Sequence, residues 1–176
     1  SDNRSAPNVF SLGSTISSSQ MNENFNFLAS EIREKDVNCN NGDTISDAIN
    51  EGYNLLTIYG SCNSAIAVYR LDPSPFGWSY SDLPNKPLSS LVIKGGNNDG
   101  SDTITAPTTG NFKFFAKDNA FVQLIKITLT TEVSVNEGAM VRMDGVTLNG
   151  YVEVNNNATF LSHDSNITSV NDDPAI

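Results

Sequence analysis

The sequence predicts an all-β fold: a solenoid of coils about 19 residues long, preceded by a short amphipathic helix. Three observations point to it. Ala120, Ala139 and Ala158 recur at one offset, since 139 − 120 = 19 and 158 − 139 = 19. Short alternating runs lie between these recurrences, such as Val133-Ser134-Val135 and Ala139-Met140-Val141-Arg142-Met143. Alternation of this kind places successive side chains on opposite faces of a strand. The runs are separated by Asn- and Gly-bearing corners, and those residues accept the left-handed backbone that tight corners require.

Composition narrows the function classes. The chain has 176 residues, with 10 Lys+Arg against 20 Asp+Glu and a net charge of −10. A polyanion needs a basic patch, so nucleic acid and anionic lipid are excluded as expected partners. No apolar run approaches the roughly 18 residues of a membrane helix, so membrane insertion is not expected. Only 17% of residues are charged, and Asn, Ser, Thr and Gly supply the polar surface instead. The start at Ser1, with no basic-then-apolar leader, reads as a mature secreted chain or as a trimmed one. Cys39 and Cys62 in such a chain read as one disulfide, against the alternative of two buried thiols. The expected location is extracellular or at a cell surface.

The first 36 residues form an N-terminal region. Residues 1–13 read as an extended arm. Met21, Phe25, Leu28 and Ile32 then step by 4, 3 and 4, which is one helical stripe. Ser17, Ser18 or Ser19 can cap its start, and it is expected to end near Glu34-Lys35-Asp36. So short a helix docks on a larger body or bundles with copies of itself. Gly13, Ile16, Met21, Asn22, Asn24, Phe25 and Leu28 resemble a segment of bacterial extracellular and phage-fibre-like proteins. That resemblance implies a fibre or trimer stem and no chemistry.

Residues 37–176 form the β domain. Residues 37–43 are rich in turn formers. Residues 44–51 read as a short helix capped by Asp43 or Thr44 and stopped by Gly52. Residues 55–60 and 65–70 are strands. A proline-rich loop follows at 72–90, carrying Phe76, Trp78 and Tyr80. A loop of that length is functional or disordered. Residues 91–94 return to strand, and 95–100 are a turn.

The 19-residue offset also stacks Phe114, Val133 and Val152, then Ala116, Val135 and Val154, then Leu129, Leu148 and Ile167. With these columns the body resembles a right-handed parallel β-helix of the pectate-lyase-like superfamily. The helix at 44–51 and the strand after it resemble the N-terminal cap of such proteins. A β-sandwich is the rival, but it gives no reason for a fixed period over three copies.

The resemblance implies that cleavage of acidic polysaccharides is conceivable, with Ca²⁺ and a base in lyases or paired aspartates in hydrolases. No matching triad of columns is present. Asp118 and Glu137 differ by 19 and stack at one corner, as a candidate Ca²⁺ or shared-proton pair or as two solvated residues. Two surfaces are candidates for binding. Thr128, Thr147 and Asn166 form one outward column and Thr130, Asn149 and Thr168 the next, with Thr103 and Thr105 as an extension. Such an uncharged ladder can bind sugars, order ice or pack another chain. Phe76, Trp78 and Tyr80 can stack on sugar rings or anchor an interface.

The functional expectation is a secreted, non-enzymatic structural or adhesive protein that self-assembles and binds carbohydrate. Its partner would be itself, as a trimer through Met21, Phe25, Leu28 and Ile32 or as a head-to-tail filament. No resident cofactor is expected, Ca²⁺ at the Asp118–Glu137 corner aside. The alternatives are a β-helix polysaccharide lyase or hydrolase and an ice-binding solenoid.

Overall fold

The computed structural model describes residues 15, 17–22, 32–70, 88–106 and 113–172, the last three by backbone alone. Two compact units divide the chain, Ser1–Arg33 and Glu34–Ile176. In the first, residues 18–22 are helical. Ser17 caps them: its Oγ accepts from Gln20 N at 3.2 Å, and Gln20 Oε1 accepts from Ser17 N at 3.1 Å. This reciprocal pair satisfies two donors that a helix start leaves open. Met21 and Ile32 are exposed. Phe25 and Leu28 lie outside the described residues, as do Phe76, Trp78 and Tyr80.

The second unit is mostly β, with parallel sheets. One sheet holds β1 (Glu34–Asn38), β2 (Leu55–Tyr59), β5 (Ser90–Gly95), β8 (Phe121–Ile125), β11 (Met140–Asp144) and β13 (Thr159–His163), in that order. The other holds β3 (Ser61–Asn63), β6 (Thr103–Thr105), β9 (Thr128–Thr130), β12 (Thr147–Val154), β10 (Val133–Val135), β7 (Phe114–Lys117) and β4 (Ile66–Tyr69). β14 (Asn166–Asp172) pairs with β12. The long strand β12 reaches β9 through Thr147 and Leu148 and β10 through Val152 to Val154. It therefore joins two columns of strands into one folded sheet.

Register carries the period read from the sequence. Phe121 pairs with Met140 and Met140 with Thr159, each partner 19 residues on. Phe114 pairs with Val133 and Val133 with Val152 at the same interval. Inward residues consequently meet their equivalents. Leu56, Ile93, Leu124 and Met143 form one fully buried column, and Cys62, Ile104, Leu129 and Leu148 another. Burial of each such aliphatic side chain contributes about 1.5–3 kcal/mol.

The corners repeat as well. Asp118 and Asn119, Glu137 and Gly138, and Asn156 and Asn157 all have positive φ, as do Lys126, Gly145 and Asp164. Equivalent corner amides bond between repeats: Asn119 N donates to Glu137 O at 3.0 Å and Gly138 N to Asn156 O at 3.1 Å. Gly138 suits its corner on two counts. Its φ is 73°, and a Cβ there would sit 2.4 Å from Asn119 Oδ1.

One boundary differs from the sequence reading. Glu34, Lys35 and Asp36, expected to end the helix, open strand β1. Their charge is unfavourable for a strand interior, but β1 is the edge of its sheet, where charges are tolerated and useful. Val37 points inward and is fully buried. Lys35 pairs with Glu51 and lies 5.0 Å from the Tyr53 ring centroid. The helix Ile45–Asn50 is capped by Thr44 Oγ1, which accepts from Asp47 N at 3.0 Å. Its Ile45, Ala48 and Ile49 are buried in the same core as Val37.

Cys39 and Cys62 are joined, with Cα atoms 5.2 Å apart. The bond ties the short 3-10 turn after β1 to β3. Chain-entropy arguments give such a loop about 3 kcal/mol. The C39S/C62S double variant should lower unfolding stability by about 2–4 kcal/mol, read from urea midpoints; an unchanged midpoint would refute the assignment.

Of the loop at 72–90, only residues 88–90 are described, and Ser90 belongs to β5. Leu88 N donates to Tyr69 O at 2.8 Å, so the chain re-enters beside the point where it left. Replacing residues 71–87 with a four-residue Gly/Ser linker should preserve one cooperative urea transition, because loop length costs little. A broad or absent transition would place those residues in the core.

Candidate functional site

The column of β3, β6 and β9 meets the column of β4, β7 and β10 at the corner that β12 spans, and a groove of about 400 Å³ lies there. Its floor includes Thr105, Thr130 and Asn149, all exposed. Thr105 and Thr130 are cross-strand partners, and Asn149 Nδ2 approaches Thr130 Oγ1 at 3.5 Å. One wall is Lys113, Glu132 and Tyr151. These three are themselves 19 residues apart, so the wall is one column of the repeat, rising a repeat at a time.

The groove lies where β12 stays in strand and the preceding repeat leaves it, between β9 and β10. Gly150 makes that possible. A Cβ at Gly150 would lie 2.0 Å from Thr131 O, so only glycine allows the two backbones this close.

Charge in the groove is paired. Lys113 Nζ forms an ion pair with Glu132, both about two-fifths exposed. The Lys113 ammonium, with help from the Tyr151 hydroxyl, holds the Glu132 carboxyl below the usual glutamate range. Burial, and then the neighbouring Glu132, pushes the Tyr151 phenol above its ordinary value. Glu132 is thus a fixed carboxylate acceptor, unsuited to donating a proton near neutral pH. The site offers hydroxyls, an amide, a carboxylate, an ammonium and one aromatic ring.

Of the ladder residues, the structure aligns Ser61, Thr103, Thr128, Thr147 and Asn166 as successive cross-strand partners. Asn63, Thr105 and Thr130 align beside them. Thr168 follows Asn149 at a shift in register between β12 and β14. Thr128 Oγ1 donates to Gly100 O at 2.9 Å and Thr168 Oγ1 to Leu148 O at 2.9 Å, so both hydroxyls are engaged. The turn carrying Gly100 is anchored by Asp102, which is fully buried. Its carboxylate accepts from Gly60 N, Asn97 N and Asn97 Nδ2 at 2.8–2.9 Å.

Asp118 and Glu137 occupy equivalent corner positions, as the spacing implied. Glu137 faces the buried Lys117 at 3.5 Å, so a cation already stands beside one of the two carboxylates. Among the described residues, no three His, Cys, Asp or Glu side chains gather as metal ligands. A second polar cluster lies on the outer face of the first sheet. Arg142 Nε and Nη2 reach Asp144 at 2.8 and 3.0 Å, and Gln123 Nε2 donates to Asp144 at 2.8 Å. Arg142 foremost holds the Asp144 carboxyl below its ordinary range.

The sequence reading missed Lys113, Glu132 and Tyr151. The signal was available: the same offset that aligned the apolar columns aligns these three.

No family model, curated protein or solved structure matches this chain. The site's own chemistry therefore carries the functional argument. Among the described residues no helix is long and apolar enough to cross a membrane.

Lys113→Met should raise the Glu132 titration midpoint, followed by carboxyl NMR. Because the folded value is depressed, the pair's stabilisation is complete above the ordinary glutamate value and fades as pH falls through the folded one. Exposure makes the effect small and salt-sensitive. An unmoved midpoint would show that Lys113 does not set it.

Proposed function

We propose that residues 34–176 form a right-handed parallel β-helix of pectate-lyase-like type that binds carbohydrate in the corner groove. On this reading the protein is an exported, non-enzymatic structural or adhesive module. Parallel crossovers are right-handed in about 98% of cases, which supports the handedness. The disulfide supports an oxidising compartment.

One observation carries the binding reading. Tyr151 sits beside a row of uncharged Thr and Asn side chains, with a paired Lys113–Glu132 at the same corner. An aromatic ring stacks on the apolar face of a sugar, while hydroxyls and amides match its rim. Catalysis fits less well. Hydrolysis needs a carboxylic acid that holds its proton and a partner carboxylate, and Glu132 is held ionised by Lys113. The ice-binding alternative needs a uniform array. Here Ser61, Asn63, Asn149 and Asn166 interrupt the threonines, and two of the hydroxyls are turned to carbonyls.

Calorimetric titration with a panel of oligosaccharides tests the reading. Tyr151→Ala should weaken binding about tenfold or more, since stacking of this kind is worth upward of 1 kcal/mol. Tyr151→Phe should retain most of the affinity. Equal binding by wild type and Tyr151→Ala would remove the groove from consideration, and release of new reducing ends from any of the panel would restore the enzymatic alternative.

A further inference from the structure

We infer that the groove takes a neutral, unbranched polysaccharide lying along the stacking direction, with one sugar unit to each repeat. The inference rests on the carbohydrate reading above and adds the ligand's charge, shape and direction.

Direction follows from the row and the wall beside it. The exposed residues Asn63, Thr105, Thr130, Asn149 and Thr168 succeed one another across the strands, so the row runs along the stack. Lys113, Glu132 and Tyr151 flank it on one side and climb with it. Thr128, two residues before Thr130 in β9, is engaged with Gly100, so the row of exposed side chains is the one beside that wall. A row along the stack with a wall climbing beside it favours a chain laid along the stack over one laid along a strand.

Length follows from the spacing. Neighbouring parallel strands lie about 4.8 Å apart. One equatorially linked pyranose advances an extended chain by close to that distance, so successive sugars meet equivalent side chains. An extended peptide advances about 3.4 Å per residue and falls out of step.

Charge follows from the row, which is uncharged at all five positions, three of them in the groove. The wall's Lys113 is already neutralised by Glu132. A chain of net charge −10 repels polyanions, and among the described residues no cation besides the paired Lys113 lines the groove to reverse that.

The test is a length series of β-1,4-linked glucose and N-acetylglucosamine oligomers, two to seven units long, titrated against the whole chain. Affinity of at least one series should rise about tenfold from three units to five, as each added sugar gains one or two hydrogen bonds, and then level off. Asn63→Glu, at the far end of the row from Tyr151, should flatten the gain for the longer oligomers and leave the two-unit ligand unchanged. Its circular dichroism spectrum and urea midpoint would confirm that it folds. Affinity that is already level at two or three units, yet lost in Tyr151→Ala, would overturn the axial chain and leave the carbohydrate reading standing. Tighter binding of galacturonate oligomers than of neutral ones would overturn the charge argument. No binding of any oligomer, neutral or acidic, would overturn both readings together.

Discussion

Everything in the β unit depends on equal register between successive parallel strands. Because side chains alternate in and out, a slip of one residue would turn every buried column toward water. From Phe114 onward that register is kept by repeats that spend the same number of residues at their corners. Pairs of left-handed residues at 118–119, 137–138 and 156–157 meet that condition. The inter-repeat bonds of Asn119 N and Gly138 N then give those corner amides partners.

That same condition explains what could be read from the sequence. From Phe114 onward the repeats have equal length, so the columns Phe114–Val133–Val152 and Leu129–Leu148–Ile167 are visible as a period. Earlier repeats carry extra residues between strands. Ser90 pairs with Phe121 and Leu55 with Val92, at intervals of 31 and 37 rather than 19. Their strands were legible from alternation, but their partners were not. Strand β1 was hidden for another reason: Glu34-Lys35-Asp36 has the composition of a helix end, and only pairing with β2 decides the matter. The groove was hidden because Lys113, Glu132 and Tyr151 differ in type while sharing a column. A search for like residues passes over them.

The distribution of charge has a common theme. Few charged groups are used, and those at key positions are satisfied locally. Asp102 is buried with three donors, Lys117 faces Glu137, and Asp144 is held by Arg142 and Gln123. A buried carboxylate without such donors would be strongly destabilising. Here it fixes the turn beside the Thr and Asn row, so a structural group far inside sets the shape of a surface outside.

The link between Cys39 and Cys62 alters how this body can come apart. A strand at the edge of a sheet is held from one side only, so it opens before the interior does. The bond holds the chain just after β1 against β3 when β1 peels from β2, so Val37 stays close to Leu56 and Ile58 in the opened state. Re-closing this edge then costs less chain entropy than it would for an untethered strand, and slowed hydrogen exchange there is the physical consequence.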